Sequence, residues 1–400
     1  MMDTSSAPGI SAQSRTPWGT IAVTYLGGVV AAMSLGKFAP VGPAVAAELG
    51  LSLSQLGWVI STVVGVGAVA GLPAGYLVRR HGAERSLVTG LVLLAVASAA
   101  GAGAGGYAWL LVARGLEGIG YLLVTIACPA LIARLAHERD RGTALSVWAT
   151  FVAVGLGAST LAGGAIGAAL GWRGWIGALA TLTLVMALVV RVRLPRGSGL
   201  QTAAGPVPRT GALAWPGMLA AAFGLAVLMT IPVVVLLPTL LAEQHGYSAA
   251  SAGAVTSVIS VLSALGGLAV GMLLRRGSRV GVLALAGLLT LPAAWLMFGD
   301  HGSTQAALAG AGVISIENGF LGALGFATLP LVLERLDHAD VGNGMVAQAG
   351  SIGSLLGPPM FGLVLEGPGQ QALVPVIAAG IVASVGALLL VGRRAALPRP

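Results

Sequence analysis

Twelve long apolar runs, separated by short polar turns, fill almost the whole chain from residue 18 to residue 392. They fall at roughly 18–39, 54–77, 85–105, 107–135, 143–170, 174–192, 214–241, 250–274, 280–299, 305–335, 344–366 and 371–392. A helix rises about 1.5 Å per residue, so each run can cross a hydrocarbon core of about 30 Å. The expected class is an all-α integral membrane protein with twelve transmembrane helices. Composition agrees: 56% of residues are hydrophobic and 8% charged, with mean hydropathy +0.93, where soluble domains carry about 25% charge. The 62 glycines suit helices whose backbones approach closely in lipid. Cys128, the one cysteine, lies inside an apolar run; it excludes an intrachain disulfide and leaves the redox compartment unread.

The formal net charge of +8 does not indicate nucleic acid once the charges are placed. Twenty of the 21 basic residues are arginines, and eighteen of those lie in or beside segments on one side of the membrane. An alternation of basic and non-basic loops sets orientation, so both termini and the basic loops are expected in the cytoplasm of a cell-membrane protein. A nucleic-acid surface would need these arginines on one folded face. Residues 1–17 are polar and expected to be disordered, without the basic start and cleavage site of a signal peptide.

The basic turn GYLVRRHGAER, Gly75 to Arg85, returns as GMLLRRGSR, Gly271 to Arg279. Gly75, Arg79, Arg80 and Gly82 therefore pair with Gly271, Arg275 and Arg276 as cytoplasmic turns that gate the two halves. RGLEGIGYLLVTIACPALIARLAH, ending at His137, likewise matches IENGFLGALGFATLPLVLERLDH, ending at His338. Gly118 aligns with Gly319, Pro129 with Pro330 and Arg134 with Arg335. A Pro-, Gly- and Arg-containing stretch, 193–213, reads as a cytoplasmic linker between halves 18–192 and 214–392, with 393–400 as a tail. Two six-helix halves of parallel topology imply a secondary transporter built on an internal repeat.

At these motifs the chain resembles the major facilitator superfamily over essentially its full length. The turn at Gly75 is similar to that family's G-x-x-x-D-R-x-G-R signature, with Gly75, Arg80 and Gly82 in place. Arg79 stands where the family has its acid and Ala83 where it has a base. The family's acid locks one closed state against a neighbouring helix end, which Arg79 cannot do in the same way. Restoring the acid, Arg79→Asp, is therefore expected to favour outward-facing states. Arg114, Glu117, Gly118 and Gly120 resemble the R-x-x-Q-G-x-G signature of the fourth helix. Of the drug/proton antiporter motif only Gly155, Gly163 and Gly164 fit; Ser159-Thr160 replace its Gly-Pro pair, while Gly357-Pro358 keep it in the eleventh run. Residues 36–52 and 114–124 are most similar to the cyanate and nitroimidazole porter branch.

Ionisable groups inside a membrane cost about 2.5–3.5 kcal/mol at a helix centre, so each is a functional candidate. Lys37 is the chain's one lysine, near the outer end of the first run. Arg114, Glu117 and Tyr121 are spaced i, i+3, i+7 and share one helical face. Glu317, followed by Asn318, has no basic residue in its own run. Because the superfamily's first, fourth, seventh and tenth helices line its cavity, the resemblance puts Lys37, Arg114, Glu117 and Glu317 around one aqueous path. Simpler roles stand beside these: an internal Arg114–Glu117 pair, a Lys37 that snorkels to the headgroups, and a Glu317 that faces water. Tyr25, Thr230 and Gln348 are weaker polar candidates. The five histidines lack metal-site spacing, and the glycine-rich runs lack the Lys-Ser/Thr of a phosphate loop, so no metal or cofactor is expected.

The reading is a non-enzymatic, proton-coupled carrier of a small organic anion or dipolar solute, acting as a monomer in the bilayer. Its partners are the solute, protons and lipid, with no nucleic acid. Export of apolar drugs is the alternative, since two acids and two bases leave the cavity nearly neutral. A non-transporting sensor would need a signalling domain for which no loop has room.

Overall fold

The computed structural model describes residues 16–194, 208–300 and 303–396. The expected disorder of residues 1–15, the linker core 195–207 with Arg196, His301, and the tail residues 397–400 with Arg399 lie outside the described residues. Thr16, expected to be disordered, is instead buried. Its hydroxyl donates to Asp140 at 2.7 Å and accepts from the His137 backbone N–H at 3.1 Å.

The described residues are helical, without strands. In chain order the helices are α1 (Trp18–Gly36), α2 (Gly42–Leu49), α3 (Leu53–His81), α4 (Ala83–Ala102), α5 (Tyr107–Leu135), α6 (Glu138–Trp148) and α7 (Phe151–Arg193). After the linker come α8 (Ala214–His245), α9 (Ala249–Arg275), α10 (Val280–Ala284), α11 (Thr290–Phe298), α12 (Thr304–Val332), α13 (Ala339–Glu366) and α14 (Leu373–Ala395). Local chemistry sets several ends. Ser52 and Gln55 form a reciprocal capping box, with bonds of 3.2 and 2.9 Å, that starts α3. Gly82, at φ 87°, ends α3 in a region open to glycine, and the chain turns directly into α4.

Ten helical spans among the described residues are long and apolar enough to cross a membrane. One of them, 138–193, supplies two crossings because α7 breaks at Gly171, where φ is 70° and ψ 174°. Gly163 before the break packs against Trp175 after it, so the arms run back along each other. The turn is pinned at Glu48 of α2, which accepts from Trp172 at 2.6 Å and Arg173 at 2.9 Å. Those hydrogen bonds hold the Glu48 carboxyl below the usual range. The remaining crossing is α13, whose Asp340, Asn343, Gln348 and glycines dilute its apolar character. It packs between α3 and α8. The twelve-helix architecture expected from the sequence is thus present.

The halves meet along two seams, α3 on α13 and α6 on α9. At the arginine-rich end, hereafter the basic end, glycines bring backbones together. A Cβ added at Gly75 would lie 2.9 Å from the Asp340 carbonyl oxygen, and one at Gly344 would lie 2.6 Å from that of Gly71. Gly271 faces Ser146 in the same way across the second seam. Eighteen residues is about five turns, which returns to the same face. Gly57, Gly362 and Gly253, each that far from Gly75, Gly344 and Gly271, meet nothing within 4 Å. Both seams are therefore closed at the basic end and parted at the far end.

Candidate functional site

Lys37 sits where α1 stops, just past Gly36, and its carbonyl accepts from the Trp175 indole at 2.9 Å. That bond fixes the helix end above α5. Lys37, Arg114 and Glu117 are each no more than 1% exposed. Glu117 gathers them: one carboxylate oxygen takes Lys37 Nζ and the Ser98 hydroxyl, the latter at 2.9 Å, and the other takes Arg114 at 2.5 Å. Lys37 also donates to Ser98 at 2.8 Å. Arg114 sends its remaining donors to backbone carbonyls, Val59 at 2.9 Å, Ser34 at 3.0 Å, Ile60 at 3.4 Å and Leu35 at 3.5 Å. The Phe38 ring covers both cations, 5.4 Å from Lys37 Nζ and 5.0 Å from the Arg114 guanidinium carbon.

This network joins three of the four intramembrane ionisable residues singled out in the sequence. Two cations and one anion leave one net positive charge, balanced further by backbone carbonyl dipoles. Lys37 neither snorkels to headgroups nor lines open space in this state; it is sealed beneath Phe38. Tyr121, on the same face of α5, is half-buried and outside the network. Ser98 was not legible as a partner, because a serine within the alanine-rich run AVASAAGA carries no signal until α4 packs on α5.

Glu317 stands apart from that network. It is 4% exposed on α12, and among the described residues its Oε2 is buried with no hydrogen-bond partner. Asn318, beside it, is half-buried and lies 2.8 Å from the Thr230 hydroxyl of α8. Gly319 follows, so close to α9 that an added Cβ would stand 1.7 Å from the Ser263 carbonyl oxygen. Of the weaker candidates, Tyr25 bonds Thr150 at 2.9 Å. Gln348 of α13 accepts from the Leu72 N–H at 3.0 Å and donates to the Ala68 carbonyl at 3.1 Å, tying it to α3.

At the basic end the two seams differ. Beside the α3–α13 seam, Arg79 of α3 donates to the Asp337 backbone carbonyl and lies 3.7 Å from its carboxylate, while Arg134 of α5 pairs with Asp340 of α13. Arg335 binds the other Asp337 oxygen at 3.0 Å. Burial pushes the Asp337 carboxyl up, but the Arg335 hydrogen bond and the positive charge of Arg335, His338 and Arg79 outweigh it and hold it below the usual range. Across α6–α9 the contact is neutral, Thr143 donating to the Gly271 carbonyl at 3.4 Å. Arg80, Arg275 and Arg276 are exposed, and Gly82 serves as a turn. The reasoning behind Arg79→Asp is thereby corrected: Arg79 closes the seam itself, with the acid supplied by the other half.

Several known proteins resemble the chain. It is 29% identical over 389 residues to the 3-(3-hydroxy-phenyl)propionate transporter of Escherichia coli (strain K12), covering 94% of each chain. It is 27% identical over 388 residues to the multidrug efflux protein YfmO of Bacillus subtilis (strain 168), covering 92% of this chain and 91% of the relative. An uncharacterized MFS-type transporter of Mycobacterium tuberculosis, Rv1250, is 31% identical over 162 residues, and the chain spans 28% of that protein's length. The fold matches the crystal structure of the human organic anion transporter MFSD10 with a TM-score of 0.76 at 17% identity, covering 93% of this chain and 99% of that one. With the family profile matched over residues 24–358, the chain belongs to the Major Facilitator Superfamily and is a transporter.

Proposed function

We propose that this transporter moves a small organic anion or dipolar solute by proton-coupled alternating access, and that Glu317 carries the proton. The observation behind this is the Glu317 carboxyl, buried with an oxygen that has no hydrogen-bond partner among the described residues. A bare carboxylate out of water costs several kcal/mol, and a protonated carboxyl costs less. A group so placed takes a proton when shut away and releases it when a path to water opens, which ties proton movement to the rocking of the halves.

The net positive charge of the Lys37–Arg114–Glu117 network supports an anionic solute. So does the similarity of residues 36–52 and 114–124 to cyanate and nitroimidazole porters. The relative that carries 3-(3-hydroxyphenyl)propionate makes that compound the first solute to try. Export of apolar compounds is the second reading, favoured by the likeness to the Bacillus efflux protein. Against it stands Ser159-Thr160 in place of the antiporter Gly-Pro pair. On the positive-inside rule the basic end and both termini are assigned to the cytoplasm, and the carrier is taken to act as a monomer in the cell membrane.

Glu317→Gln tests the proton role in reconstituted vesicles. Gradient-driven transport should be lost and solute exchange kept, because exchange needs only reorientation of the loaded carrier. An unchanged dependence on the pH gradient would remove Glu317 from the coupling. A reporter fusion near residue 80 should report the cytoplasm and one near residue 245 the outer side; swapped sides would overturn the orientation.

A further inference from the structure

We propose that Asn318 turns its carboxamide oxygen toward the transported solute, so that the C-terminal half reads a hydrogen-bond donor, a hydroxyl or an ammonium. The case rests on counting protons. The Thr230 hydroxyl lies 2.7 Å from the Ala226 carbonyl oxygen and 2.8 Å from the Asn318 carboxamide. Thr230 has one proton to give, and a carbonyl oxygen can only accept. Two oxygens 2.7 Å apart with no proton between them repel, so the proton goes to Ala226, in the back-bond to i−4 that a helical threonine favours.

With its Oδ1 toward Thr230, Asn318 would meet a second acceptor and find no proton. Turning the carboxamide by 180° leaves its shape unchanged and places its NH2 against the Thr230 lone pairs. Both contacts are then satisfied, and the oxygen points away from α8. Thr230 is fully buried while Asn318 is half-buried, so the side away from Thr230 is the open one. Gly319 and Gly322 add no side chain beside it.

The level along the seam also fits. Gly319 packs on Ser263 of α9, and one turn below Gly267 of α9 meets Thr150, just past the end of α6, and Ser146 of α6. Asn318 therefore stands at the floor of the parted region. Its counterpart in the repeat is Glu117, whose two oxygens are both engaged, by Lys37 and Ser98 on one and by Arg114 on the other. The nearest ionisable group on its own helix is Glu317, another acceptor when charged. Together they make the C-terminal side of the floor rich in acceptors.

The chain holds two asparagines, Asn318 and Asn343, which makes a direct test simple. Carrier labelled with 15N in asparagine side chains should give two amide pairs by NMR, and Asn318→Leu assigns one of them. One Asn318 amide proton should be protected from exchange and lose that protection in Thr230→Val. Free exchange of both protons, unchanged in Thr230→Val, would overturn the orientation. The solute arm rests on the organic-anion reading and uses 3-(3-hydroxyphenyl)propionate and 3-phenylpropionate with purified carrier. The hydroxylated compound should bind at least about tenfold more tightly, roughly 1.4 kcal/mol, and the preference should vanish in Asn318→Leu. Equal affinities in the parent would overturn donor recognition at Asn318. If neither compound bound, the organic-anion reading would fall, and the amide protons would still decide whether Asn318 turns its oxygen outward.

Discussion

Helices α5 and α12 occupy equivalent places in the two halves, and their shared and unshared features separate what the fold needs from what transport adds. Both pack through a glycine, Gly118 against α3 at Val63 and Gly319 against α9 at Ser263. One turn earlier, both send a side-chain donor to a carbonyl of that neighbour. Arg114 binds Val59 at 2.9 Å, and Ser315 binds Ile259 at 2.6 Å. The position thus requires a donor, not a charge. Charge appears in α5 with every partner supplied, and in α12 as Glu317 with an oxygen left over. Under the proposed coupling, one half holds a charge still and the other changes one.

The largest expected effect would break that contrast if it failed. Glu117→Gln leaves two buried cations without their anion and should destabilise the carrier by about 3–5 kcal/mol. Glu317→Gln removes no partner and should stay within about 1 kcal/mol of the parent. Thermal unfolding in one detergent compares them, and equal losses would erase the distinction. Lys37→Met sharpens the same point at smaller cost. Glu117 keeps Arg114 and Ser98 while the net charge of the network falls to zero, so the loss should be about 1.5–3 kcal/mol, that of a hydrogen bond to a charged group. A loss as large as that of Glu117→Gln would mean that Lys37, rather than Glu117, organises the site.

The contrast between the seams gives a third expectation. Arg79→Asp places an acid against Asp337 and should open the basic end, raising severalfold the reactivity of a cysteine at Ser351 of α13, which faces Gly67 of α3 across the seam. Adding Asp337→Arg should reverse much of that change. Substituting Arg276, which is exposed, should not alter it. The smallest effect concerns pH. The Asp337 carboxyl is held below its usual range, so its contribution to closure is present above the ordinary carboxylate value. It is lost only as pH falls through the lowered one. Labelling at the Ser351 position should therefore be the same at about pH 7.5 and about pH 5; opening by pH 5 would assign the titration to another group.

The twelve-helix fold was legible because each crossing is a run long enough for the bilayer and each turn is marked by charge or glycine. Even the fold-back at Gly171 was expected between the runs ending at 170 and starting at 174. Part of the site was legible for a similar reason. An i, i+3 spacing is a local property, and Arg114 and Glu117 do meet on one face of α5. Lys37 and Ser98 joined them only through the packing of α1 and α4 on α5, which no spacing along the chain encodes. Arg79 with Asp337, and Arg134 with Asp340, are separated by more than two hundred residues. Their pairing depends on how α3 and α5 pack against the start of α13.

The N-terminal network carries one net positive charge in a region that lipid and protein keep dry. A cell membrane holds a voltage, and one charge moved through 100 mV is worth about 2.3 kcal/mol. If rocking carries this charge through a tenth of that field, each stroke differs by about 0.2 kcal/mol with the sign of the potential. The unloaded return stroke of this carrier is therefore expected to be electrogenic, sensing voltage through a charge that is buried in this structure.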